Sequence, residues 1–284
     1  MKGRIISSSD LQRFLIAVGF WVLAIISIHC VHNSHLSAVN IAKKIESLSL
    51  SITFPSHQDT TSRSAPQAQT ITSPAIAAWQ GPIQPVNIQT SDMAPVILRV
   101  PTTEPVVFVG IDDGWVQAKP TQAWLIKHHL PFSLFLTNNG IKNDYGYFKK
   151  LQSAGMTIED HSLTHPNLTK LNLDQQKAEI CATADIYQTV FGRRPTLFRP
   201  PYGAYNDNTR RAAASCGIKA IVMWHVNVGT GGDVQFQSNS THLQPGDIVL
   251  MHFNPEFLQD MQSLAEAVTQ NHLQIGRLED WLPQ

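Results

Sequence analysis

The residues best suited to chemistry in this 284-residue chain are two adjacent carboxylates, Asp112 and Asp113, two imidazoles four positions apart, His161 and His165, and the separate Arg199 and His252. Neighbouring carboxylates repel each other, so a pair held together needs a cation or a shared proton. Asp113-Gly114 alone also reads as a turn. In His161-Ser-Leu-Thr-His165 the spacing of four puts both rings on one face of a helical turn, within reach of one metal ion. Such a pair also arises by chance in a chain with 12 His. Two His and one Asp leave coordination positions open, as a catalytic site requires, whereas a structural zinc site is closed by four protein ligands. Taken singly, Arg199 ahead of two prolines fits a structural ion pair, and His252 fits a satisfied core histidine.

The elements that must position these residues form a regular series. Short apolar runs at 106–111, 132–136, 156–159, 196–198, 220–226 and 248–251, with a weak one at 274–275, predict strands. The first has no polar alternation, which is the pattern of a strand covered on both faces in a parallel sheet. Between the runs lie helical segments at 120–129, 145–153, 174–190, 206–216 and 255–272. Pro120 near one start, Asp174 as a cap, and Gly155 and Gly217 at two ends mark their limits. Six or seven βα units in about 180 residues predict an α/β fold closer to a closed or nearly closed barrel than to an open doubly wound sheet. The chemical residues all follow strands: Asp112-Asp113 the first, His161 and His165 the third, Arg199 the fourth and His252 the sixth. In parallel α/β folds that end of the sheet is where sites are built.

Ahead of this domain, residues 14–31 are apolar, broken only by Ser27 and His29, and preceded by Lys2, Arg4 and Arg13. They predict a transmembrane anchor or uncleaved signal, with 1–13 as its cytoplasmic basic flank. No clean small-x-small cleavage site follows Val31, so anchoring in the cell membrane with the folded domain outside is preferred over cleavage and secretion. Residues 32–95 are rich in Ser, Thr, Gln, Pro and Ala and read as an extracytoplasmic, largely disordered linker, with a short helix at 40–50. The folded domain is expected over 104–282. Charge is balanced at 21 basic against 21 acidic residues, so a nucleic acid is not an expected partner, nor is a nucleotide an expected cofactor. Cys181 and Cys216 are candidates for a disulfide in an exported domain, a pairing that sequence alone leaves open.

Taken in order, Asp112-Asp113-Gly114, His161-Ser-Leu-Thr-His165, Arg199-Pro-Pro-Tyr-Gly203 and Leu250-Met-His252 resemble the successive motifs of the polysaccharide deacetylase family, the NodB-like carbohydrate esterases. The resemblance covers residues 104–281. It implies a distorted (β/α)7-type barrel and metal-dependent removal of acetyl groups from a polysaccharide, most often from N-acetylglucosamine units. Carried over, Asp113, His161 and His165 would bind a divalent metal, zinc first, with cobalt or another divalent ion as alternatives. Asp112 would be the base, paired with Arg199 through two donors. The Tyr202 backbone N–H, held by Pro200 and Pro201, would donate to the oxyanion, and His252 would protonate the leaving amine.

This chain departs from the pattern in two places. Where the family supplies a carboxylate to support the catalytic His, Trp224-His-Val-Asn-Val-Gly-Thr-Gly-Gly-Asp233 reads differently, which leaves either Asp233 as a substitute from a shifted loop or a His that works without such support. Trp115 stands where a Pro commonly follows the Asp-Asp-Gly. The competing readings are a glycan-binding module with little activity and an O-acetyl, xylan-type esterase. A glycosidase is disfavoured because adjacent Asp112 and Asp113 cannot flank a glycosidic bond at a separation of roughly 5 Å or more. Two His and a carboxylate also suit a non-haem iron oxygenase, against which the βα order, Arg199 and His252 argue.

Overall fold

The longest buried run of the domain becomes its central strand. The computed structural model describes residues 76–87 and 91–282; the apolar stretch 14–31 and most of the linker lie outside them. In chain order the elements are β1 (Val96–Ile97), β2 (Val106–Asp113), α1 (Lys119–His128), β3 (Ser133–Leu136), α2 (Asn138–Ile141), α3 (Tyr145–Ser153), β4 (Thr157–Asp160), α4 (Leu173–Phe191), β5 (Leu197–Phe198), α5 (Asp207–Ser215), β6 (Ala220–Val222), β7 (Val226–Gly229), β8 (Asp233–Phe236), β9 (Ile248–His252), α6 (Phe257–Gln270), β10 (Gln274–Gly276) and α7 (Leu278–Trp281). Among the described residues no helix is long and apolar enough to cross a membrane.

The sheet runs β1-β6-β5-β4-β3-β2-β9-β7-β8, with β10 beside the first residues of β2. Every pairing is parallel except the β7–β8 hairpin. Among the described residues the path ends at β1 and β8, so the α/β barrel is open rather than closed. The reason lies in 220–226, which the apolar pattern predicts as one strand. Met223 N still donates to Ile97 O at 2.8 Å, but His225 N donates to Ile248 O at 2.9 Å, so the chain crosses the gap and restarts as β7 beside β9.

Seven of the eight β2 residues are buried, as expected for a strand covered on both faces. One side packs on α6, whose Phe257, Met261, Leu264 and Val268 recur at helical spacing and meet Val226, Val249 and Met251. Each such side chain contributes roughly 1.5–3 kcal/mol on burial. Helix α4 is capped by Asn172 and not, as the sequence suggests, by Asp174. The Asn172 side chain accepts from Gln175 N at 2.9 Å, and Gln175 Oε1 accepts from Asn172 N at 3.0 Å. This reciprocal box satisfies two donors at once, which Asp174 inside the first turn cannot do. Cys181 of α4 and Cys216 at the end of α5 form a disulfide with Cα atoms 4.9 Å apart.

The last part of the segment assigned to the linker packs on this domain. Trp79 N donates to Ile275 O at 2.7 Å, Val86 N donates to Trp281 O at 2.8 Å, and Ala94 is buried. Ile76, Trp79 and Val86 also pack against the domain's core, a signal diluted by the Gln, Pro, Ala and Ser around them.

Candidate active site

Along a strand, successive side chains point to opposite faces, so two adjacent carboxylates should diverge. They do not here because Asp113 leaves the extended region, with φ 76°, and Gly114 follows at φ 90°. A Cβ at Gly114 would lie 2.5 Å from Ile141 Cγ2, so the turn needs glycine for space as well as conformation. Asp112, almost fully buried, meets the fully buried Arg199, whose Nη1 donates to Asp112 Oδ1 at 2.6 Å. The other guanidinium donors go to carbonyls: Nε to Val222 O at 3.1 Å and Nη2 to Met223 O at 3.4 Å. The pairing expected through two donors is therefore through one, because Arg199 also closes the exposed end of β6. Burial lowers the Arg199 pKa and Asp112 opposes that shift, while the group remains a cation. The guanidinium lies 4.2 Å from the Phe135 ring centre. Gly110 leaves it room: a Cβ there would sit 2.4 Å from Arg199 Nη1.

His161 and His165 do converge, but not on a helical turn. The segment after β4 is a loop in which Ser162 (φ 70°) and His165 (φ 63°) are left-handed. It is pinned from several sides. Ser162 N donates to Asp160 Oδ1 at 2.7 Å, His165 N donates to Ser162 Oγ at 3.0 Å, and Thr164 N donates to Glu179 Oε2 at 2.8 Å. The two imidazole Nε2 atoms stand 3.4 Å and 3.2 Å from Asp113 Oδ1. His161 Nδ1 faces Arg199 O at 2.6 Å. A carbonyl can only accept, so Nδ1 carries the proton and the Nε2 lone pair points at Asp113, the orientation a metal-ligating His requires.

A lone pair facing a carboxylate oxygen is repulsive without a cation between them. Asp113 Oδ1 is itself buried with no hydrogen-bond partner among the described residues. Ligand atoms of Asp113, His161 and His165 lie within 4.8 Å of one another. Two nitrogens and one oxygen, with open positions, fit a divalent ion such as zinc. Burial raises the Asp113 pKa; hydrogen bonds from the two imidazoles, which need a proton on Nε2 or a cation standing in its place, pull it below the usual carboxylate range.

Tyr202 and His252 complete the mouth. Tyr202 lies in a short 3-10 turn at Pro201–Gly203 with φ 61°, and its ring packs edge-on to His165 with centres 4.7 Å apart. Among the described residues its N–H donates no hydrogen bond, which leaves it free for a ligand. His252 ends β9 in register with Asp112. Among the described residues it forms no ion pair; Asp233, the substitute suggested by sequence, is exposed on the β7–β8 hairpin and accepts from Gln235 Nε2.

Sequence reasoning passed over Asp260. Fully buried, it accepts from Gly232 N at the hairpin tip (2.8 Å) and from Asn254 Nδ2 (2.7 Å), two residues past His252. The signal was present: an Asp within the apolar stripe Phe257, Met261, Leu264 of α6 has to be buried with its partners.

The stretch that carries Asp112 through Tyr202 also matches known proteins. A family model described as polysaccharide deacetylase matches residues 99–221. An uncharacterized protein of Streptomyces coelicolor is 35% identical over 195 residues, 67% of this chain and 78% of that protein. A peptidoglycan-N-acetylglucosamine deacetylase of Bacillus cereus is 28% identical over 135 residues, 46% of this chain and 49% of the relative. The chain thus spans about half the length of that relative, and less of some others. Among solved structures, a family 4 carbohydrate esterase from Streptomyces lividans in complex with acetate superposes with a TM-score of 0.54 at 24% identity, over 63% of this chain and 95% of that one; at this identity it speaks for the fold.

Proposed function

The chain belongs to the polysaccharide deacetylase family of hydrolases, and we propose that it removes N-acetyl groups from an N-acetylglucosamine-containing polysaccharide of the cell wall or extracellular matrix, such as peptidoglycan, a chitin-like chain or poly-N-acetylglucosamine. The observation that carries this reading is the unpartnered Asp113 Oδ1 between two imidazole Nε2 atoms, beside the buried Asp112–Arg199 pair. A divalent ion held by Asp113, His161 and His165 would polarise the acetyl carbonyl and lower the pKa of water. Asp112, oriented by Arg199, takes the proton of the attacking water. The Tyr202 N–H donates to the oxyanion, a contribution of roughly 3–4 kcal/mol for one such donor. His252 returns a proton to the leaving nitrogen, and acetate departs.

Residues 14–31 anchor the chain in a membrane and place this domain outside the cytoplasm; that part of the proposal rests on sequence alone. A disulfide between Cys181 and Cys216 agrees with an oxidising compartment.

The test is acetate release from N-acetylglucosamine oligomers by the purified full chain, with chelator, with zinc or cobalt restored, and with Asp112→Asn. We expect metal-dependent release that the substitution lowers by about 10²-fold or more. Release from acetylated xylan alone would move the assignment to an O-acetyl esterase. No release from either, with glycan still bound, would favour a binding module, a reading supported by the lack of a carboxylate paired with His252 among the described residues.

A further inference from the structure

Some of the large apolar side chains exposed on this domain lie close to the reacting centre. Among the described residues six are exposed, Ile83, Leu98, Trp115, Tyr202, Tyr205 and Leu258, and the three aromatic ones lie just downstream of Asp113 or Arg199. A single exposed apolar residue needs no explanation, but Tyr202 lies on His165 and Trp115 against the backbone beside Asp113, so two exposed rings stand next to the reacting centre. Tyr202 packs on His165 and belongs to the reacting centre. Trp115 is different: 52% of it is exposed, and it ligates nothing.

Its setting is rigid. Gln117 Nε2 donates to both Gly114 O and Gly140 O at 3.1 Å, tying the loop that carries Trp115 to α2. Asp113 O accepts from Thr137 N at 3.1 Å on the same side. Gly140 lets the indole settle against the backbone, since a Cβ there would lie 3.2 Å from Trp115 Cδ2 and 3.1 Å from Asp113 O. The indole is thus held against α2 and still presents half its surface to solvent, two residues from Asp113 and so at most about 7 Å along the backbone.

We propose that the Trp115 indole is the stacking platform for the pyranose ring adjoining the one being deacetylated, and that it makes the enzyme favour chains over single sugars. The occupant follows from the chemistry. A flat aromatic face takes an apolar, uncharged surface, and the CH face of a pyranose is one; a net charge of zero gives no reason to expect a charged polymer there. Continuity with the reacting centre requires that the ring belong to the same chain. The inference rests on the deacetylase reading.

Steady-state acetate release by the full chain on N-acetylglucosamine oligomers of one to five sugars tests it, with Trp115→Ala and Trp115→Phe. For the four-sugar oligomer Trp115→Ala is expected to raise KM about tenfold, equivalent to about 1.4 kcal/mol. The increase should shrink as the oligomer shortens, and phenylalanine should recover most of the loss. A KM that does not change, or that rises equally for every length, overturns the platform. If the wild-type chain releases no acetate, the deacetylase reading falls separately, and calorimetric titration with the same oligomers decides the platform. Weaker binding by Trp115→Ala then supports it, and equal or absent binding overturns it.

Discussion

Arg199 is the residue on which the site's electrostatics turn, and it is held by features far from it in sequence. Its donors are shared between Asp112 and two carbonyls, so a lysine, with one compact ammonium, cannot replace it. Arg199→Lys is expected to lower kcat by about 10²-fold while the protein still folds, checked by acetate release alongside a thermal melt. Gly110→Ala should act on the same pair from the other side. A methyl 2.4 Å from the guanidinium forces a buried ion pair apart, and overpacking of this kind costs about 1–3 kcal/mol. A Tm equal to wild type for Gly110→Ala would show that Arg199 can yield. The chemical residues themselves, from Asp112 to His252, were legible because each ends a strand or follows one. Gly110 was not, since its requirement arises only once Arg199 has folded over it. The His161–His165 spacing predicted a shared face correctly and its backbone wrongly: a loop with two left-handed residues brings the rings together as a helical turn would.

At the scale of elements, the βα alternation fixed β2, β3, β4 and β9 to within a residue or two, because their apolar runs are long or end in charged residues. Two short strands escaped it. β1 is two residues, and β8 is an exposed strand whose Asp-Val-Gln-Phe carries no buried run. β7 is held by its ladder to β9, and the tip of the β7–β8 hairpin is tied down by Asp260, a side chain on another element. Asp260→Ala removes the acceptor for Gly232 N and Asn254 Nδ2 together; both donors are only partly buried, so the cost is about 1 kcal/mol, the low end for unpaired donors. Because Asn254 lies two residues beyond His252, the expected loss is in kcat as well as in stability. Hydrogen exchange should show the Gly232 amide and the hairpin losing protection first; a uniform loss across the domain would mean that Asp260 supports the core as a whole and not the hairpin.

For the molecule as a whole, the barrel's stability depends on buried acids away from the active site, which no motif marks. Glu159 of β4 is fully buried, accepting from Arg193 Nη1 at 2.8 Å, Thr196 N at 2.9 Å and Leu197 N at 2.8 Å. It thereby ties the strand that leads to His161 to the start of β5. Burial, then the neighbouring Glu279 of α7, push its pKa from an ordinary 4.5 up to about 8 against the pull of Arg193. Glu279 is raised too, by burial first, with Arg193 and Arg277 opposing. Asp160, the other acid nearby, is also buried and raised. A carboxyl whose pKa is higher folded than unfolded binds its proton more tightly in the native state, so stability is full below the unfolded value and is lost as pH rises through the folded one. The domain should therefore lose stability from about pH 4.5 to pH 8, a window set by Glu159. Glu279→Gln removes one of two facing acids while keeping its shape, so the Glu159 pKa should fall and the decline should flatten. Thermal melts of both proteins at pH 5, 6.5 and 8.5 decide it. A wild-type Tm that climbs across that range, or a decline unchanged in Glu279→Gln, would mean that the two carboxyls do not share their burden.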